Sequence, residues 1–441
     1  MIVTRIPPSP TGHLHIGTAR TALFNYLFAK SQGGQMVFRS EDTDKARSRP
    51  EYEEEIMNGL RALGLDWDNQ EVMRQSERGD IYRRYLEAGI EKGAFYVSRE
   101  ESKQNPGETV EVVRLKNPNQ SITFNDLVRG DITFDTTELG DLVVARSIDD
   151  ALYHFTVVVD DYEMSVTHVL RGDDHISNTP RQILIQEALG FPRPVYAHLP
   201  LILAADRSKM SKRHGAVAIE EYFKEGFLPA AILNYLALLG WSPGTDQEIF
   251  TKEELIAQFT IDNVHKSGAV FDKQKFRWIN KQHMDRLGAG EYLAKVREFL
   301  PDSLRALPQY SDERLERLLP SIRERAEIFG DITTAAEAGE YDFAFATPTI
   351  DQTLLRGKNE LPLEDVKRHL DYLTEVLRGA DFSSPDTIKN AVWDYAEKEG
   401  RGAVLWPMRV ALTGRERSPD PFSVAYIIGQ DETLKRLASA I

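Results

Sequence analysis

Two segments carry residues whose types and spacing suit phosphate chemistry. The first is Pro8-Ser9-Pro10-Thr11-Gly12-His13-Leu14-His15-Ile16-Gly17-Thr18. Its prolines and Gly12 force an irregular turn, and a helical apolar pattern starts directly behind it. A helix start presents free N–H groups and a positive dipole end, which seats phosphate. Gly17 lets a base or sugar approach the backbone closely. His15 can offer a ring N–H to a phosphate oxygen as charge develops. Taken alone, His15-Ile16-Gly17 reads first as a loop whose histidine caps a helix. The second segment is Ser208-Lys209-Met210-Ser211-Lys212-Arg213. Its cations Lys209, Lys212 and Arg213, interleaved with Ser211, can clamp the oxygens of a transferring anionic group. Taken alone, it reads first as a solvated basic loop.

The surrounding elements must hold both segments. Ile2–Arg5 reads as a strand, Thr18–Ser31 as a helix stopped by Gly33-Gly34, Gln35–Arg39 as a strand and Glu51–Leu63 as a helix. Strand–helix alternation predicts a parallel sheet covered by helices. Residues 97–145 break that rhythm with short β-type runs such as ITFDTT and LVVAR, and read as an inserted β-rich segment. The alternation resumes with Thr156–Asp161 (TVVVDD), a continuous apolar run expected to be a buried parallel strand. The helix Thr179–Leu189 and the strand Tyr196–Leu203 follow. Beyond Trp241 the pattern turns helical, over Lys252–Phe259, Gly290–Phe299, Asp312–Phe329 and Leu363–Leu377.

Composition sets the limits. The chain has 441 residues, 41% hydrophobic and 28% charged, enough to build a full core and too apolar for a disordered protein. Lys and Arg number 54 against 69 Asp and Glu, a net charge of −15, which argues against indiscriminate coating of nucleic acid. Cysteine is absent, which excludes disulfides, a thiolate nucleophile and thiolate metal sites. No apolar run approaches the ~18 residues of a membrane span. No basic and then apolar leader opens the sequence, so the expected location is the cytoplasm.

Taken together, the two segments resemble the two signatures of class I aminoacyl-tRNA synthetases, here His15–Thr18 and Lys209–Arg213. Longer stretches, PPSPTGHLHIGTARTALFNYLFA, FRSEDTDKARS, VLRGDDHISNTPRQ and SKMSKRHGA, resemble the bacterial-type glutamyl-tRNA synthetases. Weaker likeness continues through FLPAAILNYLALLGW, VFDKQKFRWIN and WPMRVALTGRERSPDPF. The resemblance implies an α/β fold, with a Rossmann-type parallel-sheet catalytic domain and an all-helical C-terminal half. The catalytic domain would comprise residues 1–96 and 146–240, interrupted by a short acceptor-binding insertion at 97–145. A stem-contact region at 241–300 and a helical anticodon-binding region at 301–441 would follow. The implied reaction activates glutamate with ATP and Mg²⁺ to glutamyl-adenylate and transfers it to the terminal adenosine of tRNA(Glu). The family characteristically needs tRNA present for activation. His15 and Gly17 would sit on ATP with Ser211, Lys212 and Arg213; His15, Lys209 and Lys212 would be catalytic.

Glutamate carries two carboxylates and one ammonium, so its pocket needs two donor sets and one anionic partner. Arg5 and Arg171 can each hold a carboxylate bidentately; which takes which is open. Glu41 can accept from the ammonium, and Ser9 and Tyr153 offer neutral hydrogen bonds. These positions match the family's pocket and fall at carboxyl ends of strands, where α/β sheets bind ligands. Each has a plainer alternative: Arg5 and Glu41 could pair with each other, and Tyr153 could be a core aromatic. Glu41-Asp42-Thr43-Asp44 and Asp173-Asp174-His175 look like metal clusters but are read as caps, loop supports and a helix start, so no metal ligand is assigned.

Two departures from the family pattern stand out. The acceptor-binding insertion is short and, lacking cysteine, holds no zinc site, so no structural zinc is expected. Ser40 stands where the family usually has an apolar residue, with a modest packing effect expected. In the helical half, Lys273, Lys275, Arg277, Trp278, Trp406, Arg409 and Arg415 are candidate RNA contacts, with both tryptophans read first as core. A monomer is expected. Two alternatives remain open: an enzyme that also charges tRNA(Gln), and a related glutamyl transferase acting on another tRNA acceptor.

Overall fold

A computed structural model describes residues 1–101, 107–210, 218–357 and 360–441. The chain forms two compact units, Met1–His283 and Met284–Ile441. The first is α/β and the second helical.

The first unit opens with strand β1 (Val3–Ile6), helix α1 (Ile16–Ser31) and strand β2 (Gln35–Ser40). All four β1 residues are buried, as expected of a parallel strand covered on both faces. Helix α1 ends where Gly33 takes φ +65°. Gly34 follows because a Cβ there would collide with the Ile2 carbonyl oxygen. Helix α2 (Pro50–Ala62), the short strand β3 (Met73–Arg74) and helix α3 (Gly79–Glu91) complete the first half. Strands β1, β2 and β3 form a parallel sheet in that order.

An antiparallel sheet comes next, from β4 (Phe95–Glu101) and β5 (Thr109–Leu115), paired from Phe95↔Leu115 to Glu101↔Thr109. A hairpin of β6 (Ser121–Asp126) and β7 (Gly130–Asp135) follows, then β8 (Leu142–Ser147) and β9 (Asp150–Ala151). The hairpin does not join β4-β5-β8-β9. It extends the second parallel group, whose order is β10-β11-β6-β7, with β10 (His168–Gly172) and β11 (Val195–Leu199).

Residues 156–161 are not a strand. They lie in helix α4 (Tyr153–Glu163), with Phe155 through Asp161 all buried. A short apolar run cannot distinguish a buried strand from a buried helix, and surroundings decide. Here the helix aims Asp160 at Arg78, Gln75 and Tyr82 and aims Asp161 at Arg39, so each carboxylate meets donors. Adjacent residues of a strand would face opposite sides of the sheet.

Helix α5 (Thr179–Leu189) runs between β10 and β11. The expected strand Tyr196–Leu203 breaks at Pro200, which has no N–H, into β11 and β12 (Ile202–Leu203). Strands β1 and β10 adjoin: Thr167 N donates to Val3 O at 2.9 Å, and Val3 N to Thr167 Oγ1 at 2.9 Å. The strand order therefore reverses between β1 and β10, where an α/β sheet leaves a crevice at its carboxyl edge. Phe95, Phe155, Val158, Val169, Ile183 and Tyr196 share the core beside it. Helices α6 (Ile219–Lys224), α7 (Pro229–Leu238) and α8 (Lys252–Gln258), strand β13 (Ala269–Val270) and helix α9 (Lys273–Asp285) follow. Trp241 is buried against Phe250 and Phe259.

The second unit holds α10 (Ala289–Phe299), α11 (Asp302–Arg305), α12 (Asp312–Arg325), α13 (Gly330–Glu337), α14 (Asp342–Phe345) and α15 (Gln352–Leu355). Helices α16 (Leu363–Arg378), α17 (Pro385–Glu399), α18 (Arg401–Thr413), α19 (Pro421–Ile428) and α20 (Gln430–Ala438) complete it. Helix α12 stops at Arg325, short of Phe329, because Asp331 accepts from Glu327 N and Ile328 N and turns the chain. Buried Arg436 ties α20 inward by donating to the carbonyls of Phe343 and Leu412, each at 2.7 Å. No described helix is long and apolar enough to cross a membrane.

Candidate active site

The crevice at the β1/β10 seam holds a cavity of about 580 Å³. Arg5, Ser9, His15, Gly17, Glu41, Tyr153, Arg171 and Lys209, all singled out in the sequence, line it together. Ser211, Lys212 and Arg213 lie outside the described residues.

His15 caps α1. Its Nδ1 accepts the Gly17 N–H at 3.1 Å, so a neutral ring carries its proton on Nε2, the donor a phosphate oxygen needs. The capping role and the phosphate role are thus compatible, because they use opposite ring nitrogens. A Cβ at Gly17 would stand 3.4 Å from His15 Nδ1, on the cavity wall. Lys209 pairs with Asp174 at 2.9 Å on the same wall and is 62% exposed, so its ammonium can exchange that partner cheaply for phosphate.

Arg5 and Glu41 do not pair with each other. Arg5 is buried, lies 3.4 Å from Asp161 and donates to Leu170 O at 3.3 Å. Glu41 accepts from Arg39 at 2.9 Å. Arg39 is fully buried and also bonds Asp161 at 2.8 Å. Burial opposes its charge, but Asp161, Glu41 and Asp160 outweigh that and raise its pKa. Burial raises the Glu41 pKa, and Arg39 only partly offsets it. Burial would also raise Asp161, but Arg5 and Arg39 hold it below the ordinary carboxylate value.

Arg171 is different. It is buried at the end of β10, and its donors go to neutral acceptors: Nε to His198 Nε2 at 3.1 Å, Nη1 to Gln182 Oε1 at 2.6 Å and Nη2 to Thr179 Oγ1 at 2.8 Å. No carboxylate among the described residues lies within ion-pair distance of it. Burial lowers its pKa. A buried cation beside a cavity, without an ion-pair partner, can receive an anion. Tyr153 is 40% exposed at the mouth; burial of its hydroxyl, then Glu41, pushes its pKa up to about 12, so it stays a neutral donor.

The acidic stretches behave as supports. Asp42 accepts from Ser76 N at 2.8 Å and from Ser76 Oγ, and Asp44 pairs with Arg47. Asp173 opens a short 3-10 turn and pairs with Arg129. The carboxylates on the cavity wall, Glu41 and Asp174, are each engaged by a cation. They do not form a ready carboxylate pair for a divalent cation. Ser40 is buried, with its hydroxyl unpartnered.

Sequence reading missed the braces of this site: Arg39, Asp160, Asp161, Gln182, Thr179, His198 and Asp126. One signal was available. Two adjacent aspartates closing an apolar run must meet donors when buried, although nothing in their spacing singles out Arg39, 122 residues away. Among the RNA candidates, Lys273 pairs with Glu225 and Lys275 with Glu248. Trp406 donates to Leu354 O at 2.6 Å as a packing residue, while Trp278 is 41% exposed.

The His15-capped helix start and the buried Arg171 guanidinium lie together at a sheet crevice. The model for the catalytic domain of class I tRNA synthetases (E and Q) matches residues 1–105 and 97–278, and an anticodon binding domain model matches 291–441. The chain is 40% identical to the glutamate–tRNA ligase of Azorhizobium caulinodans, covering 99% of this chain and 98% of that one. It is 39% identical to that of Desulforamulus reducens over 100% and 99%. A crystal structure of a glutamate tRNA ligase from Elizabethkingia meningosepticum, in complex with its amino acid, superposes with a TM-score of 0.88 at 31% identity over 100% and 99% of the two chains. The chain belongs to the glutamate–tRNA ligase family of class I aminoacyl-tRNA synthetases.

Proposed function

We propose that this protein joins glutamate to tRNA(Glu) at the expense of ATP, through glutamyl-adenylate. The observation that carries the reading is Arg171, a buried guanidinium with no carboxylate partner, facing a cavity whose other wall is the His15-capped helix start. A carboxylate clamped by guanidinium N–H groups is a poor nucleophile, so Arg171 suits the side-chain carboxylate, which survives the reaction. Arg5, already near Asp161, contributes positive potential beside it. Glu41 and Ser9 receive the ammonium and Tyr153 adds a neutral hydrogen bond. The α-carboxylate oxygen then attacks the α-phosphorus of ATP and pyrophosphate leaves. His15 Nε2–H and the Lys209 ammonium stabilise the charge that builds on the phosphates, joined by Lys212 and with Ser211 and Arg213 on the nucleotide. Mg²⁺ bound to the ATP phosphates would neutralise part of that charge. The terminal adenosine hydroxyl of tRNA next attacks the acyl carbonyl and releases AMP. On this reading the protein works in the cytoplasm as a monomer.

The test is aminoacylation with purified protein, ATP, Mg²⁺ and labelled glutamate, using separate transcripts of the glutamate and glutamine tRNAs. Charging of tRNA(Glu) is the expected result. Charging of both would mean a broader tRNA range, and charging of neither would overturn the proposal.

A further inference from the structure

Arg171 is held from behind by a chain of buried groups. Its Nε–H donates to His198 Nε2 at 3.1 Å, so that nitrogen must carry a lone pair. A neutral His198 then carries its proton on Nδ1, which meets Asp126 Oδ2 at 2.6 Å. Asp126 is fixed in turn: it accepts from the backbone N–H of Val128 at 3.0 Å, Arg129 at 2.9 Å and His198 at 3.0 Å. All three side chains are buried. Burial disfavours charge on both His198 and Asp126. The ring is held neutral, while hydrogen bonds from His198 and the Arg129 backbone keep Asp126 ionised. Asp126 ends β6, the strand by which the hairpin joins β11, where Tyr196 pairs with Asp126.

We infer that Asp126 and His198 are positioning residues for glutamate recognition: Asp126 fixes the His198 tautomer, and His198 fixes the direction in which Arg171 offers its remaining N–H groups. The inference rests on the reading of Arg171 as the carboxylate receptor. The three acceptors around Arg171 divide the work. Gln182 and Thr179 take one N–H from each terminal nitrogen, and His198 takes Nε–H, so the guanidinium plane is set at three points. Of these acceptors, only His198 can turn into a donor by a tautomer change, which would set Nε2–H against Arg171 Nε–H. Asp126 prevents that change, because a carboxylate accepts but never donates when ionised.

Steady-state aminoacylation of His198→Asn, His198→Gln, Asp126→Asn and Arg171→Met tests this, with the KM values for glutamate and ATP measured separately. Asparagine at 198 keeps a donor near the Nδ1 position and loses the acceptor at Nε2; glutamine does the reverse. His198→Asn and Asp126→Asn should raise the glutamate KM about ten- to a hundredfold, the effect of losing one charged hydrogen bond, with the ATP KM within about twofold. His198→Gln should recover most of the affinity. Equal effects on both substrates, or a glutamine variant no better than the asparagine one, would reduce His198 to a packing residue. If Arg171→Met leaves the glutamate KM unchanged, the receptor reading fails. If it raises that KM and the His198 and Asp126 variants do not, the positioning inference alone fails. Nitrogen-15 NMR of histidine-labelled wild-type protein reads the tautomer without any variant. The expected spectrum has Nδ1 protonated and Nε2 bare, and a reversed tautomer or a cationic ring would overturn the inference.

Discussion

Replacing Arg171 by methionine keeps most of the stem volume and removes the charge. The guanidinium has five N–H groups, of which three are spent on His198, Gln182 and Thr179. One N–H remains on each terminal nitrogen, the pair a carboxylate can accept side by side. Two charge-assisted hydrogen bonds at about 1.5–3 kcal/mol each make about 3–6 kcal/mol. That corresponds to a ~10²- to 10⁴-fold fall in kcat/KM for glutamate. The ATP KM should move little, because His15, Gly17 and Lys209 are untouched. Arg171→Lys keeps a point charge but loses the planar fork, and should fall between the two. The assay is aminoacylation over a glutamate series at saturating ATP, then over an ATP series at saturating glutamate. A fall of less than about threefold for glutamate would refute the argument. An equal fall for both substrates with a lowered melting temperature would make Arg171 a brace for β10 and α5 instead.

Arg39→Met should be mainly a stability change, since it removes the cation that Asp161, Glu41 and Asp160 share in the interior and leaves Glu41 without its ion-pair partner: urea unfolding of the α/β unit should lose about 3–5 kcal/mol, and a loss under about 1 kcal/mol would contradict the network. His15→Ala should remove both a helix cap worth about 1 kcal/mol and a phosphate donor worth ~10²–10³ in kcat, whereas His15→Asn should restore the cap alone. Wild-type turnover by His15→Asn would remove His15 from the chemistry. Burial, then positive neighbours (Arg181 and Arg171 at His154, Arg171 at His175), holds both histidines down at about 4. Their folded pKa lies below the unfolded value of about 6.5, so the unfolded chain binds protons first as pH falls. Stability should be full above pH 6.5 and decline down to about pH 4. The double variant His154→Asn/His175→Asn should flatten that decline in urea titrations, and an unchanged slope would show that other groups cause it.

The parts of this site that were legible in the sequence are those built from near neighbours. Gly33-Gly34 marks the end of α1 because positive φ and a close approach to Ile2 both act on the local backbone. His15 and Gly17 are two residues apart, so their joint geometry follows from one helix start. Arg171 was legible as a crevice residue because it closes a β-type run, and strands of a parallel sheet end at the edge where the crevice opens. What could not be read was how the charges divide. Arg5 and Arg171 look equivalent in sequence, each an arginine closing a strand. They differ because Asp161 reaches Arg5 and does not pair with Arg171, and Asp161 was assigned to a strand that would have aimed it elsewhere. The run Thr156–Asp161 has no period that separates a buried strand from a buried helix, and the direction of the Asp161 carboxylate depends on which it is. Asp126 was hidden for a related reason. It lies in the stretch read as an insertion, yet β6 joins β11 through a pairing that only the folded sheet reveals. Pairings distant in sequence therefore carry what separates the two arginines: an acidic partner for Arg5, and for Arg171 a cradle of neutral acceptors that leaves it without an ion-pair partner.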